Sequence, residues 1–97
     1  MKLSEMNAHQ RLAFRFICEV MSELIAGNEL IMEDYPDDSD EYKEASEYLN
    51  KPREVLADDV YEEVMSRSDK DMTRHLRFAG KEFIMERINK RLEKWGY

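Results

Sequence analysis

The stretch from Leu12 to Ile25 constrains the fold more than any other part of the chain. On a helix that turns about 100° per residue, its apolar side chains cover well over half of the circumference. An apolar arc this wide must be buried on several sides, which predicts a helix at the centre of the molecule. The apolar residues are Leu12, Ala13, Phe14, Phe16, Ile17, Val20, Met21, Leu24 and Ile25. The narrow remaining strip holds Arg11, Arg15, Glu19, Ser22 and Glu23.

Capping signals set the limits of this first helix. Asn7 and Gln10 have the spacing of a capping box, which predicts a start at Asn7. Gly27 followed by Asn28 is a common helix stop, so the helix is expected to end at Ala26. Residues 28–38 then form a connection that contains a turn at Tyr35-Pro36.

Two further helices are predicted in the middle of the chain. The second begins near Asp38 or Ser39, because Asp38 and Glu41 have capping-box spacing, and it ends near Asn50. The third covers residues 52–66, with Pro52 in its first turn. Its core positions are spaced four residues apart and are Leu56, Val60 and Val64.

Residues 69–97 also read as helix, but their apolar stripe changes direction. Up to Phe83 the apolar residues centre near 210° on a wheel drawn from Lys70, and from Ile84 onward they centre near 10°, a jump of about 160°. One straight helix on one core cannot bury both stripes. We therefore expect a break at Ala79–Lys81, where Gly80 readily leaves helical geometry. A straight helix would instead require a homodimer that covers the second stripe.

These elements predict an all-α protein, a compact four- to five-helix bundle around a buried N-terminal helix, in a single domain at residues 1–97. Three glycines and two prolines leave little material for hairpins. Cys18 is the one cysteine, so no intramolecular disulfide forms, and we expect a buried, inert thiol. Charges interrupt the apolar run of the first helix, so no membrane span and a cytoplasmic location are expected.

Charge is sorted along the chain. Residues 27–63 carry fourteen acids against three bases, a net charge of −11, and residues 64–97 carry nine bases against five acids, a net charge of +4. The whole chain has a net charge of −7. The two blocks either attract each other within one fold or attract something else.

The acidic block favours a protein–protein interaction function without catalysis. Carboxylates interleaved with tyrosines form a face suited to a basic protein surface, because tyrosine brings contact area with a polar tip. Small inhibitors made by phages and mobile elements are similar to this chain in size and charge, and a nucleic-acid mimic is the extreme form of the hypothesis. The predicted contact residues are Asp37, Asp38, Asp40, Glu41, Tyr42, Glu44, Glu47, Tyr48, Asp58, Asp59, Glu62 and Glu63.

A metal-dependent hydrolase is the alternative from another class. All-helical nucleotide pyrophosphohydrolases hold Mg²⁺ on acid-bearing helices, and Asp40-Glu41 with Glu44 resembles their paired-acid motif. Their second motif is not met, because Asp59 and Glu62 stand in the reverse order. His9 and His75 have no cysteine or second histidine at ligand spacing. We therefore predict no catalytic residue, metal or cofactor.

A nucleic-acid-binding module is the second alternative. It would use a basic stripe formed by Lys70, Arg74, Arg77 and Lys81. The net charge of −7 disfavours this function, since nucleic-acid-binding domains are usually basic. Pairing of the stripe with the acidic helices of the same molecule is the favoured interpretation.

Overall fold

The computed structural model describes residues 2–97, so Met1 of the predicted domain lies outside the described residues. Within residues 2–97 there are five α-helices and no strand, which confirms the all-α bundle. A short 3-10 turn at Leu3–Glu5 precedes them. The helices are α1 (Ala8–Asp34), α2 (Asp40–Leu49), α3 (Arg53–Arg67), α4 (Lys70–Ala79) and α5 (Lys81–Lys94).

Helix α1 is central, as its wide apolar arc predicts, because it packs against each of the other four helices. Ile17 and Met21 on this arc are fully buried. The predicted capping box at the start of α1 is also confirmed. The backbone N–H of Gln10 donates to Asn7 Oδ1 over 2.9 Å, and the backbone N–H of Asn7 donates to Gln10 Oε1 over 3.0 Å.

The predicted end of the first helix at Ala26 is wrong, because α1 continues without interruption to Asp34. Gly27 stays in the helix, and the Asn28 side chain turns back to donate to the carbonyl of Leu24 over 2.7 Å. The helix ends only where Tyr35 becomes extended ahead of Pro36. Two more helical turns are thereby added to the acidic end of the molecule.

The two middle helices lie close to their predicted positions. Ser39, and not Asp38, caps α2, since its hydroxyl accepts the backbone N–H of Tyr42 over 3.2 Å. Helix α3 follows directly after Pro52, and its predicted core positions are fully buried.

The predicted break at Gly80 is confirmed. Gly80 has φ 88° and ψ 145° and stands between α4 and α5. Asp69 caps α4 by accepting the backbone N–H of Met72 over 2.7 Å. Because the chain turns at Gly80, both apolar stripes reach the same core. Their buried members are Leu76, Ala79, Phe83, Ile84, Ile88 and Leu92.

Helix packing places the two kinds of charge at opposite ends of α1. The ring of His9 near the start of α1 lies beside His75 of α4, whereas Asn28 and Ile31 near its end line a groove with α2. Residues 19–50 carry eleven acids and one base. Residues 8–18 and 70–81 carry six Lys and Arg residues and one acid. The molecule measures 46 × 27 × 18 Å, so the acidic and basic ends are well separated.

No helix within the described residues combines the length and the apolar character that a membrane crossing requires.

Candidate functional site

A groove between the end of α1 and α2 forms the centre of the candidate site. It has a volume of about 190 Å³ and is lined by Asn28, Ile31, Tyr35, Glu41, Glu44 and Ala45. The side chain of Tyr35 is 45% exposed, so much of its aromatic ring is open to solvent. The two glutamates are exposed as well, so an aromatic ring and two carboxylates share one open groove.

Nine exposed carboxylates lie on the end of α1, on the connection after it and on α2, and we call them the acidic face. No Lys or Arg within residues 2–97 lies in ion-pair range of any of them. Lys43 is the one base among residues 29–47, which leaves this segment with a net charge of −8. The acidic face consists of Glu29, Glu33, Asp34, Asp37, Asp38, Asp40, Glu41, Glu44 and Glu47.

Three members of the acidic face are not among the predicted contact residues, because they fall in the predicted connection at residues 28–38. They are Glu29, Glu33 and Asp34 on the last two turns of α1. The continued spacing of Ile25, Asn28 and Ile31 was the available signal, since these residues keep the helical period through Gly27.

The four predicted carboxylates of α3 divide into two pairs with different environments. Asp58 and Glu62 are exposed. Asp59 forms an ion pair with Lys51, and Glu63 accepts from Arg67 Nε over 3.1 Å. We therefore leave Asp59 and Glu63 out of the acidic face.

The hydrolase alternative would need carboxylates of α2 and α3 to meet at a metal ion. Among residues 2–97, no group of three or more His, Cys, Asp or Glu side chains is arranged to hold a metal ion.

The two tyrosines predicted on this surface, Tyr42 and Tyr48, are both partly exposed. The hydroxyl of Tyr48 is buried and has no hydrogen-bond partner within the described residues. Its burial, with the neighbouring Asp59 and Glu63 carboxylates, raises the pKa of Tyr48 to about 12. Tyr48 therefore packs against the core and does not present its polar tip to solvent.

The basic stripe is exposed along its whole length, at Lys70, Arg74, Arg77 and Lys81. Its expected pairing with the acidic helices is not observed, since none of the four lies within 4.0 Å of a carboxylate among residues 2–97. The Lys81 ammonium instead lies 4.9 Å from the ring centroid of Tyr61.

A pair of histidines that lie far apart in the sequence meets at the basic end. The Nδ1 atoms of His9 and His75 are 2.9 Å apart, close enough for one to donate to the other. The ring of Phe78 stacks on His9 at 4.8 Å and is 64% exposed. The sequence carried no signal for this contact, because 66 positions separate the two histidines.

Cys18 is partly buried, and its thiol forms no disulfide. Burial raises the pKa of its thiol, against a smaller opposite effect from Arg91 and Arg87. A thiol with a raised pKa is a poor nucleophile at neutral pH.

Comparison of the chain with protein-family models, curated proteins and solved structures gave no significant match.

Proposed function

We propose that this protein is a non-catalytic interaction protein that binds a basic partner protein through its acidic face. The observation that carries the proposal is the groove in which Tyr35, Glu41 and Glu44 stand together, open to solvent.

The groove suits a lysine or arginine side chain from the partner. A cation placed over the Tyr35 ring interacts with the negative face of its π-system. Glu41 and Glu44 lie on the same wall and supply oxygen acceptors for the donors of that cation. An arginine can use the ring and the carboxylates together, because its planar guanidinium stacks on an aromatic ring and donates hydrogen bonds in its own plane to carboxylate oxygens.

The rest of the acidic face supports this anchor through its field. Nine exposed carboxylates with no Lys or Arg of residues 2–97 in ion-pair range give a strongly negative surface, which accelerates the encounter with a positively charged partner. A protein that binds nucleic acid carries the matching positive surface, so an inhibitor that imitates phosphate charge is the most specific form of this proposal.

The test measures binding of a peptide rich in lysine and arginine to the wild-type protein and to a triple variant, Tyr35→Ala/Glu41→Gln/Glu44→Gln. We expect the variant to bind at least tenfold more weakly, a loss of about 1.4 kcal/mol, as judged by calorimetric titration at low salt. Binding followed by NMR should perturb α2 and the end of α1.

A matched control separates the groove from net charge. The variant Glu5→Gln/Glu54→Gln removes the same number of exposed carboxylates, two, elsewhere on the molecule and should bind the peptide almost as well as wild type. Equal weakening in both variants would mean that only total charge matters. Retention of full affinity by the groove variant would exclude the groove as the binding site.

A further inference from the structure

The solvent-facing side of α1 carries an ordered row of charges that the acidic-face proposal does not use. Arg11, Arg15, Glu19 and Glu23 follow one another at intervals of four residues, and all four are exposed. Residues at this interval form one ridge on a helix surface. We call this row the charge ladder; it reads two bases and then two acids.

Only one charge of the ladder, Glu23, has an ion-pair partner within the described residues. Within residues 2–97, Arg11, Arg15 and Glu19 have no ion-pair partner. Arg11 donates to the carbonyl of Met6 over 3.2 Å, and one carboxylate oxygen of Glu23 accepts from Arg67 over 2.6 Å. A base that precedes an acid by four residues is also the weaker order for pairing along one helix.

The order of the charges makes the ladder complementary to a reversed copy of itself. Two α1 helices can run antiparallel with their ladders facing each other, related by a twofold axis that crosses the ladder midway between Arg15 and Glu19. Arg15 of each copy then faces Glu19 of the other copy, and Arg11 faces Glu23. Two-fold symmetry repeats each contact, so two kinds of pair give four ion pairs. Ridges of this kind align when two helices cross at about 50°, the commonest packing angle.

The surroundings of the ladder leave room for such an approach. Small exposed side chains, Ala8, Ser22 and Ala26, flank it. An open groove of about 350 Å³ lies at its basic end, beside Arg11 and Leu12. Another, of about 380 Å³, lies at its acidic end, between α1 and Trp95.

We propose that the exposed face of α1 is a homodimer interface, in which the charge ladder of one copy pairs with the ladder of a second, antiparallel copy. The partner at this interface is a second copy of the chain, because the order of charges on the ladder is complementary to the same ladder running in the opposite direction. The ladder shares no residue with the groove at Tyr35, so each copy in the dimer keeps its own groove for a partner.

Sedimentation velocity tests this proposal at low salt over a range of protein concentrations. The wild-type mass should rise from 11.6 kDa toward twice that value. Added NaCl should reverse the rise, because exposed ion pairs are screened. The single variants Arg15→Glu and Glu19→Arg each place like charges across the axis and should weaken dimerisation at least tenfold.

Charge exchange makes the test specific. An equal mixture of the two single variants, and the double variant Arg15→Glu/Glu19→Arg, each restore opposite charges across the axis and should recover dimerisation. Lys43→Glu and Glu54→Arg, which change exposed charges elsewhere, should leave the dimer intact. Circular dichroism of each variant verifies that the helices are retained.

Two results would overturn the proposal. One is a wild-type protein that stays monomeric at about 1 mM in low salt. The other is a dimer that forms equally well in the single variants or that is not recovered by the mixture. Neither result bears on peptide binding at the groove, because the two experiments change different residues.

Discussion

Tyr48 shows how a single buried hydroxyl affects stability. The group lies out of contact with solvent and has no hydrogen-bond partner within residues 2–97, so its desolvation is not compensated. We expect Tyr48→Phe to be neutral or to raise the free energy of unfolding at pH 7 by about 1 kcal/mol. Urea unfolding measures this, and a clear loss of stability would mean that the hydroxyl is bonded after all.

The same residue predicts a response to alkaline pH. The pKa of Tyr48 is raised to about 12 in the folded protein, above its ordinary value near 10 in the unfolded chain. The unfolded chain therefore releases this proton first, and stability falls as pH rises from about 10 to about 12. Burial also raises the pKa of Tyr97, so Tyr48→Phe should reduce this slope without abolishing it. An unchanged slope in the variant would contradict the assignment.

At the scale of helices, two glycines have opposite roles. Gly27 lies inside α1 and Gly80 lies between α4 and α5, and a Cβ added at either would meet no atom within 4 Å. Gly27→Ala should therefore stabilise the protein by about 0.8–1.0 kcal/mol, the difference in helix propensity.

Gly80→Ala should destabilise the protein by about 1–3 kcal/mol, because φ 88° with ψ 145° is open almost only to glycine. Since steric contact is absent at both positions, the pair isolates the effect of the backbone. Thermal unfolding of both variants measures it, and equal shifts in the two proteins would refute the explanation.

The predictability of each helix follows from how local its signals are. The break at Gly80 could be predicted because a change in the direction of the apolar stripe and a glycine coincide there. The signals at the end of α1 conflict, because Gly27-Asn28 is a common helix stop whereas Ile31 keeps the helical period. Here Asn28 bonds back to Leu24 and Ile31 keeps the period, so the tertiary contact with α2 overrides the local signal.

For the whole molecule, the open acidic face predicts how salt acts on stability. Nine exposed carboxylates, none with a Lys or Arg in ion-pair range in the part of the chain that the structure describes, repel one another, and added NaCl screens this repulsion. The melting temperature of the dilute monomer should therefore rise between low and moderate NaCl, by about 4 °C or more for each kcal/mol of repulsion removed. The effect should shrink in Glu41→Gln/Glu44→Gln/Glu47→Gln. A steady fall in melting temperature would mean that internal ion pairs dominate.

The candidate site was less predictable than the fold, because it depends on how distant segments meet. The carboxylates of α2 could be placed on an outer face from their spacing alone. The groove also depends on Tyr35, which the sequence places in a turn. The ion pair between Asp59 and Lys51 depends on how the connection between α2 and α3 folds. The contact between His9 and His75 joins residues that are 66 positions apart in the sequence, and the periodicity of apolar residues carries no information about it.

The central position of α1 also has a consequence for biosynthesis. Its apolar arc leaves the ribosome before the helices that cover it, and 67 residues separate Ile25 from Leu92 of α5. At about 5–20 residues per second, translation of this interval takes about 3 to 13 s. During that time the apolar surface of α1, the most apolar helix of the chain, is only partly covered by the other helices. The nascent chain is then a natural client for chaperones, and the speed of translation after α1 affects how much of the protein reaches its folded state.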